Sequence, residues 1–201
     1  AVTSCMGMNT LEHEYKIMGL APYVSEEWVQ RGLDAIGDLI RVDGLEMHSR
    51  VAGHCFGPVL DRRLRRMRFD AVAGGLQRLT ETVMTQWVRN ACQETGLGRV
   101  TAGGGVIMNV KANGEIARLP DVDYYSACPS AADESAAIGC AYYGSLLLDP
   151  DTPPEPLDSV YLGIDCDRKA AEGVLDARGG GFEVHDVEGR EAETVAGLLE
   201  R

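Results

Sequence analysis

Apolar residues return every three or four positions along Phe69–Thr95: Val72, Leu76, Leu79, Val83, Trp87 and Ala91. That period predicts a long amphipathic helix with one buried face. Gly74 and Gly75 weaken its first turns, each by about 1 kcal/mol against alanine, so their presence implies a close crossing with another element. Gly96 and Gly98 end it. Ahead of this helix, Ala1–Met8 reads as the end of a strand. A helix is expected from Leu11, capped by Asn9 or Thr10, with Glu12 and Glu14 in its first turn and a stop before Pro22. Ser25–Leu39 reads as a second helix, with Ser25 as cap and Glu26 and Glu27 in its first turn. Gly44, Gly53 and Gly57 break up Ile40–Leu60, which is expected to be irregular, a small hairpin or an insertion.

Beyond the long helix the pattern alternates. A short strand, Arg99–Ala102, runs into Gly103, Gly104 and Gly105, and a helix follows from about Asn109 to Arg118, stopped by Leu119-Pro120. A second strand, Val122–Ala127, ends at the Pro129-Ser130 turn. Asp133 and Glu134 then open a helix whose run Ala136–Leu148 is apolar enough that burial is expected. Asp149–Leu157 (DPDTPPEPL) reads as an extended linker. After it the expected order is strand Val160–Ile164, helix Asp167–Arg178, strand Phe182–Val187 and helix Arg190–Arg201. Strand–helix alternation of this kind indicates an α/β fold, a mixed sheet flanked by helices.

Glycines at the end of a strand let a backbone approach a ligand that any Cβ would push away. Free N–H groups there and at the following helix start suit a phosphate. Gly103–Gly105 fits that description, and a tight turn without a ligand fits it as well. Asn109, where the loop becomes helix, is a natural N-cap. Asp133 admits two readings: a partner of Ser130 in a capping box, or, at the floor of a cleft beneath a buried helix, a metal-ligand candidate.

Composition narrows the partners. The chain has 201 residues and a formal net charge of −12, which argues against a nucleic-acid partner, since phosphate backbones call for a basic face. The one basic run, Arg62–Arg68, reads as a solvated helix face or a local salt-bridge partner. No stretch of about 18 apolar residues predicts a membrane span. Cys5, Cys55, Cys92, Cys128, Cys140 and Cys166 form no CxxC pair and are expected to be buried thiols in a reducing cytoplasm. His48 and His54, six residues apart, do not share a helical face. The chain opens without Met and is expected to be a fragment of a longer protein.

The wording of three segments is more specific than their pattern. AGGGVIMNVKANGEI, PSAADESAAIGCAYYG and LEHEYKIMGLAPY (Leu11–Tyr23) resemble the motifs of the O-carbamoyltransferase family. That family includes the nodulation-factor (NodU-type) and the cephamycin- and tobramycin-type antibiotic-tailoring enzymes. The motifs occur in the expected order over roughly the first three-quarters of the chain. The resemblance implies half of an actin-like ATPase fold, shared with acetate and sugar kinases and Hsp70. It places residues 1–148 in the second half of the nucleotide and carbamoyl-transfer domain and 149–157 in a linker. Residues 158–201, where SVYLGIDCD resembles a domain entry, would begin a YrdC-like C-terminal domain.

By the same resemblance, ATP and carbamoyl phosphate give carbamoyl-adenylate and pyrophosphate. The carbamoyl group then passes to a hydroxyl of a small-molecule acceptor. Glu14 would reach the ribose, Lys16 the phosphates or a supporting carboxylate, Gly103–Gly105 the phosphates and Asn109 the adenosine. Asp133 would complete an iron-type or other divalent metal site whose two histidines, at HxxxH spacing, lie outside this chain. None of His13, His48, His54 or His185 reproduces that spacing. The chain has Asp133-Glu134-Ser135 where many members carry Asp-x-Gly. This chain alone is expected to be inactive, and a homodimer is left open. The rival readings are a kinase or ATPase of the same fold, and a nucleotide-binding module without chemistry.

Overall fold

The structure, a computed structural model, describes residues 1–152, 154–155, 157, 159–160, 163–164, 167–179, 181, 185 and 187–200. It is mixed α/β and falls into two compact units, Ala1–Glu155 and Pro156–Arg201. Elements are taken in chain order. The first unit contains α1 (Val2–Cys5), α2 (Glu14–Leu20), α3 (Glu26–Ile36), β1 (Ile40–Asp43), β2 (Glu46–Ser49) and α4 (Phe56–Leu64). It continues with α5 (Phe69–Thr95), β3 (Arg99–Ala102), α6 (Val110–Ala117), β4 (Tyr124–Ala127) and α7 (Ser135–Leu148). The second unit contains α8 (Arg168–Ala177) and α9 (Glu191–Leu199).

Helix α5 carries the first unit, over the range its periodicity predicts, and closes on Gly96 in the left-handed region (φ 71°). It differs from expectation in burying two faces. One lies among Ile36, Leu39, Leu60 and Leu64 and contributes Val72 and Leu79, with Leu76 and Val83 partly buried beside them. The other contributes Met84, Val88 and Cys92 to a cluster with Ile107, Ile116, Leu119 and Ala131. The second stripe escaped the sequence reading because a strict four-residue step, 84–88–92, drifts across the helix face that the first stripe defines. Burial raises the pKa of the Cys92 thiol, with Asp121 and Asp123 adding to it.

The glycine pair near the start of α5 does mark a close crossing. A Cβ on Gly75 would stand 2.6 Å from Gly32 Cα and 2.5 Å from Leu33 N of α3, and a Cβ on Gly74 would stand 2.8 Å from Val29 Cγ2. At the far end, Trp87 Nε1 donates to Leu45 O (2.9 Å) and Asn90 Nδ2 to Gly44 O (2.8 Å). These two bonds pin the turn of an antiparallel hairpin, β1–β2, that runs from Ile40↔Ser49 to Asp43↔Glu46. The expected irregular stretch also ends in helix: a 3-10 turn at Gly53–Cys55 leads into α4 at Phe56–Leu64. The basic run after it is largely paired: Arg63 with Asp38, Arg65 with Asp61, and Arg68 with Asp70 and with the Trp28 ring.

Three further expectations are corrected. The amino terminus is a short helix, α1, and not a strand. Helix α2 starts at Glu14 instead of Leu11, because Leu11 takes a positive φ (69°) that no helix continues through. Ser25 sits at the N-cap of α3 with extended backbone but without a side-chain capping bond. Most consequential is α7. It has no charged side chain, yet none of its residues is buried, and Tyr143, Leu147 and Leu148 are exposed. Of the cysteines among the described residues, only Cys92 is buried.

In the second unit, the Asp167 carboxylate caps α8 by accepting from Lys169 N (3.1 Å). Parts of the expected strands Val160–Ile164 and Phe182–Val187, Cys166 and part of the linker lie outside the described residues. Among the described residues no helix is long and apolar enough to cross a membrane.

Candidate functional site

Strands β3 and β4 pair in parallel, from Arg99↔Tyr124 to Ala102↔Ala127, with α6 between them in sequence. Parallel pairing brings both carboxyl ends to the same edge, where open α/β sheets bind ligands. Gly103–Gly105 leaves β3 there, and Cys128-Pro129-Ser130 leaves β4 beside it. Cys128 N donates to Ala102 O (2.8 Å), and a Cβ on Gly103 would stand 3.8 Å from Cys128 Cβ. Two segments far apart in the chain thus form one lip.

The protein's own packing accounts for only part of the glycine run. Gly104 has φ +100°, a conformation that side chains other than glycine's rarely adopt. Nothing lies within 4 Å of a Cβ built on Gly104 or Gly105. The space that Gly105 leaves is therefore open to a ligand rather than filled by the fold. A 3-10 turn, Gly105–Met108, follows and is held from beneath. Asn113 Nδ2 donates to Ile107 O (2.7 Å), and Tyr125 Oη donates to Asn113 Oδ1 (2.9 Å). Burial raises the pKa of the Tyr125 phenol, which suits a group that serves as a donor.

Asn109 caps α6, its Oδ1 accepting from Ala112 N at 3.0 Å. Its amide also makes a reciprocal pair with Gln77 of α5: Gln77 Nε2 to Asn109 Oδ1 at 3.0 Å, and Asn109 Nδ2 to Gln77 Oε1 at 2.9 Å. Gln77, 5% exposed, donates its other hydrogen to Glu81 Oε1 (2.8 Å). The apolar spacing that predicts α5 does not single out Gln77. The signal was a polar residue on the Ala73–Gln77–Met84–Val88 stripe, all of it buried.

Asp133 precedes α7 and is exposed. Among the described residues no hydrogen bond joins the Ser130 side chain to Asp133, as a capping box would need. The Glu134 carboxyl lies below its ordinary pKa through its own backbone N–H first and Ser130 second. No side chain caps α7. Among the described residues, no three His, Cys, Asp or Glu side chains gather where they could hold a metal ion. The residues present supply one carboxylate, not a ligand set, and no chemistry is routed here through a metal.

Glu14 and Lys16 are both exposed on α2. Glu14 Oε1 accepts from Thr3 Oγ1 and from Leu11 N, each at 3.0 Å. The Leu11 N–H is the main cause of its lowered pKa, with Thr3 adding to it. Glu14 therefore closes the turn that leads into α2, anchored by a Thr3 that is only 4% exposed. Lys16 Nζ stands 5.8 Å from the Tyr15 ring centroid. Among the described residues, no hydrogen bond or ion pair joins Glu14 or Lys16 to the glycine lip; α2 and α6 each pack against α5. Two surface hollows of about 290 Å³ lie elsewhere, one of them bounded by Arg62, Arg63, Arg65, Arg66 and Met67.

No family model matches the chain. It is 30% identical over 91% of its length to the nodulation protein NolNO of Sinorhizobium fredii, covering 28% of that protein. It is 29% identical over 85% of its length to the nodulation protein NolO of Bradyrhizobium diazoefficiens, covering 32% of it. An uncharacterised protein of Synechocystis is 31% identical over 70% of the chain, which covers 25% of that protein. The chain thus spans about a quarter to a third of the length of the curated relatives it matches. The likeness over most of the chain to the nodulation proteins NolNO and NolO supports the O-carbamoyltransferase family that its motifs resemble.

Proposed function

We propose that the chain is part of an ATP-dependent O-carbamoyltransferase that carbamoylates a hydroxyl of a small-molecule acceptor. The observation that carries this reading is the lip at the end of β3 and β4. There the two most distinctive family motifs, separate in sequence, stand side by side around open glycine backbone. Residues 1–148 form the second half of an actin-like nucleotide domain in this reading, and residues 158–201 begin a C-terminal domain. The relatives' greater length supports that placement.

Water hydrolyses carbamoyl phosphate to carbamate and phosphate, and the carbamate oxygen then attacks the α-phosphorus of ATP, expelling pyrophosphate and leaving carbamoyl-adenylate. The acceptor oxygen then attacks the carbonyl carbon and AMP leaves, taking up the negative charge as the hydroxyl proton passes to a base. The free backbone N–H groups of Gly103–Gly105 suit the phosphate of the nucleotide, where fixed dipoles act without reorganisation. Asn109 offers a hydrogen-bond donor at the edge of that loop. Glu14 and Lys16 would serve the nucleotide from α2, and Asp133 would contribute one ligand to a divalent metal whose other ligands lie outside this chain.

The test is a transfer assay on a polypeptide of the relatives' length that carries this chain. Pyrophosphate release and carbamoylated acceptor should both require ATP and carbamoyl phosphate. Asp133→Ala should abolish transfer. Turnover of ATP without carbamoyl phosphate would favour the kinase or ATPase reading instead. An Asp133→Ala variant with full transfer would remove Asp133 from the site.

A further inference from the structure

We propose that Gln77 is a positioning residue for the nucleotide lip, fixing Asn109 so that it meets its ligand as a hydrogen-bond donor. This rests on the reading of Asn109 as a nucleotide contact, and adds to it both a second residue and a polarity.

The argument is a count of lone pairs and hydrogens. Asn109 Oδ1 accepts from Ala112 N and from Gln77 Nε2, both at 3.0 Å, which uses its two lone pairs. Asn109 Nδ2 gives one hydrogen to Gln77 Oε1 at 2.9 Å. What remains is the second Nδ2 hydrogen. The group that Asn109 can serve is therefore an acceptor, such as a ring nitrogen or a ribose or phosphate oxygen.

Gln77 is what keeps the amide this way round. Its Nε2 hydrogens go to Glu81 Oε1 (2.8 Å) and to Asn109 Oδ1. A carboxylate oxygen accepts and does not donate, so Glu81 Oε1 holds the Gln77 amide with its nitrogen in that direction. That in turn leaves Oε1 to face Asn109 Nδ2. A relay Glu81–Gln77–Asn109–Ala112 N thus sets the orientation of a loop residue from a helix that touches no ligand. Gln77 is 5% exposed, and a buried amide is tolerated there because both its ends are bonded. A purely apolar packing residue at 77 would fill the same space and leave Asn109 free to flip.

The experiment uses the 201-residue chain, isotopically labelled, with ATP as the probe and two variants. Gln77→Met keeps the volume and removes the relay. Gln77→Glu keeps an acceptor for Asn109 Nδ2 and sets a carboxylate against Glu81 and Asn109 Oδ1. In the parent chain the two Nδ2 hydrogens of Asn109 should exchange with solvent at different rates, and ATP should shift one of them together with the Gly103–Gly105 amides. Gln77→Met should equalise the two rates and weaken ATP about tenfold, the worth of one oriented hydrogen bond. Gln77→Glu should bind poorly near about pH 8 and recover towards about pH 5, as a carboxyl that is buried beside another acid takes up its proton. The Gln77→Met profile should stay parallel to the parent's, which separates positioning from a general loss of packing.

Gln77→Met binding ATP within about twofold of the parent, or Gln77→Glu with the parent's pH profile, would overturn the proposal. If ATP shifts nothing at Gly103–Gly105 in the parent, the nucleotide reading fails. The positioning claim then stands if Gln77→Met equalises the two Asn109 rates, and falls if it does not.

Discussion

Replacing Gly75 by alanine tests the packing that sets the whole first unit. Alanine ordinarily stabilises a helix interior by about 0.5–1 kcal/mol over glycine. Here the added Cβ would stand 2.6 Å from Gly32 Cα and 2.5 Å from Leu33 N. Carbon atoms pack best at about 3.5–4.0 Å, so α3 would have to withdraw by roughly 1 Å. The obstacle is backbone, and no side chain can rotate away. Withdrawal would loosen Val29, Ile36, Ala71 and Val72, all buried at the same crossing. Overpacking of this kind costs about 1–3 kcal/mol, which exceeds the propensity gain and leaves a net loss of about 1–2 kcal/mol. Urea unfolding followed by the fluorescence of Trp28 and Trp87 would measure it, with the m-value unchanged. Gly144→Ala in α7 supplies the contrast. Nothing lies within 4 Å of its Cβ, and a gain of about 0.5–1 kcal/mol is expected. A Gly75→Ala chain as stable as the parent, or more so, would refute the close crossing.

Asn109→Ala should lose the α6 cap, about 1 kcal/mol, and strand the buried Gln77 Oε1, about 1–3 kcal/mol; Asn109→Ser should recover the cap portion only, both read from urea midpoints. Trp87→Phe should cost about 1 kcal/mol and release the Leu45 turn, seen as faster amide exchange along Ile40–Ser49. The Asp38 carboxyl is held below its ordinary 3.8, first by its hydrogen bond to Arg63 and then by the charges of Arg63 and Arg50. A depressed carboxylate stabilises above its unfolded value and loses that contribution as pH falls through its folded value. The urea midpoint should therefore drop below about pH 3.8, and Asp38→Asn should show a shallower drop; identical slopes would contradict the pairing.

Long-period features were legible in the sequence. Helix α5 needed only its spacing, and the strands at Arg99 and Tyr124 needed only their β-rich runs and flanking glycine and proline. Periodicity reports that a face is apolar, however, and not what covers it. For this reason α5 read as one-faced although it serves two clusters, and α7 read as buried although the described residues leave it open. Helix α2 was misplaced at its start because Thr3 and Glu14, eleven residues apart, close a turn around Leu11 that no local propensity encodes. The glycine lip was legible as a loop, and its family wording sharpened it. The Gln77–Asn109 pair was not, because it joins residues 32 positions apart and looks in sequence like one polar residue on a long helix.

The central claim is that the lip formed by Gly103–Gly105 and Cys128–Ser130 is where nucleotide binds. Hydrogen exchange of a polypeptide of the relatives' length carrying this chain, with and without ATP, addresses it directly. The account predicts slowed exchange at residues 103–109 and 128–134. Slowing confined to other segments, such as the arginine-lined hollow at residues 62–67, would contradict it.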